Sequence, residues 1–168
     1  MKLDFSYSFQ LKVKLFFTIV VLVILDQTTK LFVSNNFEIN QTQQIFSILS
    51  FTFVKNYGIA FSLFNELEGV GQLILNIVIF FILAFIAKEL FTNLVSSNLY
   101  LIGLSLILGG GSANFIDRYD NSAVTDFIIL HYKDIYFPAV FNIADLSISI
   151  GAVLIIIYYL SNKTNEVH

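Results

Sequence analysis

The chain has 168 residues, of which 57% are hydrophobic and 12% are charged. Soluble domains usually carry about 25% charged residues, so the composition predicts a single integral membrane domain spanning residues 1–168. The net charge of −3 argues against a nucleic-acid partner. With no cysteine and only two histidines, the chain offers no disulfide, thiol nucleophile or histidine-based metal site. We expect no metal and no cofactor.

The first apolar segment, residues 13–33, predicts a transmembrane helix. Its uninterrupted apolar core is short enough to suit a signal peptide, but no small-residue cleavage site follows it. Asp26 and Lys30 are spaced i,i+4 and would meet on one face. We interpret them as an ion pair that lets both charges lie at the membrane interface. A direct catalytic role is less expected, because a paired aspartate is held ionised.

The segment between the first two spans, residues 34–69, has moderate polarity. Residues 44–54 are rich in Phe and Ile with partial alternation, which favours one or two strands. Asn56 follows this segment, and Gly58 permits a turn. Two interpretations stay open. Asn56 lies in a hairpin turn, or its amide forms hydrogen bonds with a peptide backbone or a carboxylate.

The second and third apolar segments predict transmembrane helices over residues 70–87 and 98–116. The third contains the glycine run 109–111, where small residues allow close helix packing. A phosphate-binding loop is not expected, because no Lys-Ser/Thr pair follows the glycines. Asn114, Asp117 and Arg118 are spaced i, i+3 and i+4, so they share a face at the end of this helix.

The second loop follows the third span and lies on the same side of the membrane as the first. Residues 124–130 have a β-favouring composition and contain Asp126. Together with the strands of the first loop, they predict a small β-rich extracytoplasmic platform. His131 follows in this loop, and we interpret it as a surface residue rather than a lone base.

The fourth apolar segment predicts a helix over residues 139–160, because Pro138 suits the first turn of a helix. Asn142 and Asp145 would form part of a narrow polar stripe on it. A charged group in a membrane helix costs roughly 2.5–3.5 kcal/mol at the bilayer centre and less near the interface. A functional role is therefore the default interpretation of Asp145.

The distribution of basic residues predicts the orientation of the four spans. Cytoplasmic segments are enriched in Lys and Arg, and an even number of spans puts both termini on one side. We predict that both termini are cytoplasmic and that the two loops are extracytoplasmic. The basic residues on the cytoplasmic side would be Lys2, Lys12, Lys14, Lys88 and Lys163.

This topology brings Asp126 and Asp145 to the same membrane face. Two carboxylates held close together share a proton and titrate as a pair. One can activate a water molecule as a base while the other donates a proton to a carbonyl oxygen. That is the pattern of an aspartic protease. A proton or ion site in a non-enzymatic transporter subunit explains Asp145 about as well.

The motifs resemble those of the bacterial lipoprotein signal peptidases (signal peptidase II), in the family's order and over nearly the whole chain. They are D-Q-x-x-K at 26–30, N-x-G-x-A-F at 56–61, G-G-x-x-G-N-x-x-D-R at 109–118, V-x-D-F at 124–127 and F-N-x-A-D at 141–145. The chain has Ala113 where the family usually has glycine. The added methyl group could tighten helix packing or demand a small backbone shift.

The resemblance implies a membrane aspartyl endopeptidase that cleaves a signal peptide just before a diacylglyceryl-modified cysteine. It implies a bacterial inner-membrane location, an extracytoplasmic active site, and lipid-modified prolipoproteins and membrane lipids as partners of a monomer. Asp126 and Asp145 would be catalytic. The residues implied to support or line the site are Asp26, Lys30, Asn56, Gly58, Gly110, Asn114, Asp117, Arg118 and Asn142.

Overall fold

The structure, a computed structural model, describes residues 5–58, 70–92, 97–133 and 135–165. These residues form long helices and one small antiparallel sheet. In chain order the elements are α1 (Phe5–Asn36), β1 (Thr42–Phe46), β2 (Leu49–Asn56), α2 (Val70–Thr92), α3 (Asn98–Asn121), β3 (Val124–Tyr132), β4 (Ile135–Tyr136) and α4 (Ile143–Asn165).

Helix α3 is the centre of the helical bundle and packs against α1, α2 and α4. Its small residues allow this, as the glycine run predicts. A Cβ added to Gly110 would clash with the carbonyl oxygen of Ala144, and one added to Gly103 would lie 2.9 Å from that of Gly151. Since Ala144 is in the first turn of α4, Gly110 sets how closely that turn approaches α3.

Three helices of the described residues are long and apolar enough to cross a membrane: α2, α3 and residues 143–162 of α4. Large apolar side chains on their outer faces are exposed, among them Phe81 and Phe85 on α2. This is the expected surface of a helix in contact with lipid. Residues 13–33 are helical within α1, and their crossing of the membrane stays a prediction.

The sheet has the strand order β1-β2-β3-β4. The strands predicted at 44–54 and 124–130 are confirmed, whereas β4 was not predicted. Val54 lies opposite Asp126 in the register of β2 and β3. Phe127 packs with Val33 of α1 and Phe53 of β2 in a small core. This core attaches the sheet to the end of α1 and thereby positions Asp126.

Helix α4 begins later than the sequence predicts. The predicted start at residue 139 is wrong, and Pro138 does not lie in a first helical turn. The backbone of Phe141 instead pairs with Ile128 of β3 through N–H···O bonds of 3.0 and 2.7 Å. The helix therefore starts at Ile143, and Asp145 lies in its first turn.

Other predictions need correction as well. Helices α2 and α3 extend beyond the predicted ends at residues 87 and 116, so Asp117 and Arg118 are helical. His131 is buried rather than on the surface. Its Nε2 lies 3.0 Å from Ser50 Oγ and its ring stacks on Tyr136. The antiparallel pairing of β2 with β3 encloses it, which the composition of one loop alone does not reveal.

Candidate active site

Asp126 and Asp145 line the same cavity, although they belong to different elements. Asp126 is on β3 and Asp145 is in the first turn of α4. The cavity has a volume of about 580 Å³, and its polar lining also includes Asn56, Asn114 and Arg118. The structure thus brings together residues from both loops and from α3.

Asn142 connects the two carboxylates. Its Nδ2 donates to Asp126 Oδ1 at 2.7 Å, and its backbone N–H donates to Asp145 Oδ2 at 3.2 Å. Its Oδ1 accepts from the backbone N–H of Asp145 at 2.8 Å. The reciprocal bonds between Asn142 and Asp145 form a capping box at the start of α4. Because Asn142 is fully buried, the helix cap also fixes where the two carboxylates lie relative to each other.

Two further asparagines donate to the remaining carboxylate oxygens. Asn56 Nδ2 donates to Asp126 Oδ2 at 2.9 Å, and Asn114 Nδ2 donates to Asp145 Oδ1 at 2.8 Å. Asn56 Oδ1 accepts from the backbone N–H of Gly58, which orients the amide. Since each carboxylate oxygen has two acceptor sites, each still has one available for a proton or a water.

The environment of Asp126 favours its protonated form. The pKa of its carboxyl group is raised to about 7, and the largest cause is burial of the group. The negative charge of Asp145 contributes to the rise in this pKa, while the hydrogen bonds from Asn56 and Asn142 and the charge of Lys30 oppose it. A carboxyl group with this pKa can hold a proton near neutral pH, as a general acid requires.

Lys30 binds a cluster of polar side chains next to Asp126 and Asp145. Its Nζ lies 2.6 Å from Asp26 Oδ2 and 2.9 Å from Asp117 Oδ2, and it donates to Asn114 Oδ1 at 2.7 Å. Because Lys30 can only donate, Asn114 must direct its oxygen to Lys30 and its amide to Asp145. The predicted Asp26–Lys30 ion pair is present, but it is buried between helices rather than exposed at an interface.

Asp26 also binds the start of α4. Its Oδ1 accepts from the backbone N–H of Ala144 at 2.8 Å. A carboxylate is favourable there, because the N-terminal end of a helix is electropositive. Gln27 reinforces the arrangement by donating to Asp117 Oδ1 at 2.7 Å. Gln27 is not among the predicted site residues, although its i,i+3 spacing from Lys30 places the two side chains on one face of α1.

Arg118 connects the site to the first loop through Nη2, which donates to the carbonyl oxygen of Gly58. Its Nη1 is buried, and within the described ranges no acceptor reaches it. Arg118 lines the cavity, so this N–H group is available to a bound molecule. Ala60 and Phe61 of the second motif lie outside the described residues.

The chemistry of the site is that of proton transfer. In the part of the chain that the structure describes, no three His, Asp or Glu side chains form a cluster suited to a metal ion. The site instead combines two carboxyl groups, three amides and a guanidinium group around one cavity. Such a set can activate water and stabilise a negatively charged oxygen.

Comparison with known proteins identifies the family. The family model described as "Signal peptidase (SPase) II" matches residues 18–161. The chain belongs to the signal peptidase II family. It is 38% identical to the lipoprotein signal peptidase of Buchnera aphidicola subsp. Baizongia pistaciae, covering 88% of this chain and 93% of that protein. It is 36% identical to that of Clostridium tetani, with the same coverage.

A solved structure shares the fold. It is that of a bacterial membrane enzyme, with a TM-score of 0.80 at 28% identity over 90% of each chain. As a member of the signal peptidase II family, the chain is a membrane protease.

Ala113, where the motif usually has glycine, is fully buried. Its carbonyl oxygen accepts from Gln27 Nε2 at 3.1 Å, which places Ala113 at the interface of α1 and α3.

Proposed function

We propose that this signal peptidase cleaves lipid-modified prolipoproteins just before the lipidated cysteine, with Asp126 and Asp145 as the catalytic pair. The relatives named above are lipoprotein signal peptidases. The observation that carries the catalytic assignment is the position of Asn142, which hydrogen bonds to both carboxylates at the wall of one cavity. The cavity lies beside helices apolar enough to cross a membrane, so a lipid-anchored substrate can enter laterally.

In the proposed reaction Asp126 is the acid and Asp145 is the base. The pKa of Asp126 allows it to hold a proton near pH 7, while the N-terminal end of α4 and two N–H donors stabilise a negative charge on Asp145. Asp145 takes a proton from water, whose oxygen attacks the peptide carbonyl carbon. Asp126 gives its proton to the carbonyl oxygen.

The tetrahedral intermediate then collapses. The proton on Asp145 passes to the leaving nitrogen, the C–N bond breaks, and the hydroxyl proton of the intermediate returns to Asp126. Arg118 Nη1 supports this sequence, because it is a buried donor that can hold a substrate carbonyl oxygen in place. The apolar wall of the cavity, which includes Phe115, Phe141 and Ile148, accepts apolar side chains around the scissile bond.

The rate of cleavage should fall as the pH rises through about 7. Asp126 must be protonated to act as the acid. With a pKa of about 7, the protonated form is present below that pH and is lost above it. Asn56→Ala removes one hydrogen-bond donor to the ionised form of Asp126 and so raises the pKa of Asp126. The fall in cleavage rate should therefore move to higher pH. The measurement is kcat/KM with a diacylglyceryl-modified prolipoprotein from about pH 5 to about pH 9. A profile that stays flat through pH 7 would contradict the role of Asp126.

The membrane arrangement proposed for this site has four spans, with both termini in the cytoplasm and the sheet outside the bacterial inner membrane. The enzyme would act as a monomer, because one chain contributes every group of the pair and its donors. Since the chain has no cysteine, single cysteines report orientation cleanly. In intact spheroplasts an impermeant thiol reagent should label Asp120→Cys but not Lys88→Cys, and the reverse pattern would overturn the orientation.

A further inference from the structure

Two amide side chains on α2 present hydrogen-bond acceptors without donors. Gln72 Oε1 and Asn76 Oδ1 are both buried, and no donor among the described residues reaches either oxygen. Helix α2 is otherwise strongly apolar. A buried polar atom without a partner costs free energy, and a polar side chain within a membrane helix is a functional candidate by default.

The position of these amides connects them to the active site. Gln72 Nε2 donates to the carbonyl oxygen of Tyr57 at 2.8 Å, so the side chain lies beside the end of β2. Asn76 is one turn further along α2, and Ile79 follows it at i+3 on the same face. Ile79 lines the cavity that contains Asp126 and Asp145. The face that carries the two free oxygens therefore runs from the rim of the site to the cavity wall.

Any substrate that is cut in this cavity must present an extended backbone, because the scissile carbonyl has to reach both carboxylates. An extended segment has unpaired backbone N–H groups, and hydrocarbon provides no acceptors for them. Residues spaced i,i+4 on a helix are about 6 Å apart along its axis. Alternate residues of an extended chain are about 6.6 Å apart, which matches this spacing closely.

We propose that Gln72 Oε1 and Asn76 Oδ1 accept hydrogen bonds from two alternate backbone N–H groups of the signal-peptide segment that precedes the scissile bond. This inference rests on the proposed function, since it concerns how that substrate is held. The segment would lie along α2, with Arg118 Nη1 available to one of its carbonyl oxygens. Recognition through the backbone does not depend on side chains, so the same acceptors serve signal peptides of different sequence.

Variants of α2 test the acceptors. Asn76→Leu keeps the approximate side-chain volume and removes the acceptor, so kcat/KM should fall about tenfold, mainly through KM. Its melting temperature should stay unchanged or rise, because an unpartnered buried polar atom has been removed. Gln72→Leu should lower kcat/KM as well, although it also removes the donor to the Tyr57 carbonyl oxygen. The matched control is Thr92→Val, a polar-to-apolar change at the other end of α2, where the Thr92 hydroxyl donates to the carbonyl oxygen of Lys88 in the same helix.

The decisive experiment removes the donor from the substrate. A lipidated peptide substrate is prepared with one amide replaced by an ester at each residue preceding the cysteine in turn, and cleavage is measured with wild type and Asn76→Leu. We expect the ester at one position to lower kcat/KM of the wild type about tenfold. The same ester should leave kcat/KM of Asn76→Leu unchanged. An equal loss in both enzymes, or an Asn76→Leu variant with wild-type kcat/KM, would overturn the inference. The proposed function is tested separately by the all-amide substrate, which wild type should cleave and Asp126→Asn should not.

Discussion

Replacing either Asp126 or Asp145 by asparagine should lower cleavage of a diacylglyceryl-modified prolipoprotein by about 10⁴-fold or more. Each carboxyl group has a distinct task in the proposed reaction, and an amide can neither take nor give the proton. Both side chains lie at the cavity wall with hydrogen bonds to asparagine amides, so the change removes proton transfer while keeping the side-chain shape. A gel-shift assay in detergent measures the loss.

The matched control is Asp120→Asn, which removes an exposed carboxylate near the end of α3. It should cleave at the wild-type rate. Thermal unfolding in detergent should show that both catalytic variants are folded. An Asp126→Asn variant that still cleaves would remove Asp126 from the mechanism. The transporter interpretation requires only Asp145, so it predicts that Asp126 is dispensable.

Replacing Lys30 by methionine should destabilise the protein by about 3–5 kcal/mol, the cost of leaving buried charges without a partner. Lys30 is the cation between the carboxylates of Asp26 and Asp117, and all three side chains are buried. The change also removes the donor that orients Asn114 toward Asp145, so activity should fall with stability. Thermal unfolding of purified protein in detergent measures the first effect.

Two companion variants separate charge from packing. Lys55→Met removes a partly buried lysine that donates to Thr125 Oγ1, and it should change stability by less than about 1 kcal/mol. Combining Lys30→Met with Asp26→Asn and Asp117→Asn removes the uncompensated charges and should recover part of the lost stability, but not the activity. If Lys30→Met unfolds at the wild-type temperature, the buried charge cluster does not stabilise the fold.

The sequence by itself determined the elements whose signals are local. Long apolar segments predicted the helices, because a membrane helix must satisfy its backbone internally and present apolar side chains to lipid. Partial alternation and β-favouring composition predicted strands β2 and β3. The motifs pointed to the family that the comparisons show. The residues of those motifs that fall in the described ranges, from Asp26 to Asp145, lie in or around one cavity and the charge cluster beneath it.

Only the tertiary structure decided how those residues act together. The hydrogen bond from Ala144 to Asp26 joins residues that are 118 positions apart. Pro138 suggested an earlier start of α4, but pairing of Phe141 with β3 and the cap at Asn142 delay it. The role of Gln27, the burial of His131 and the free acceptors on α2 likewise depend on neighbours from other elements. Periodicity reports which face of an element is apolar, whereas hydrogen-bond partners are set by the packing of elements distant in sequence.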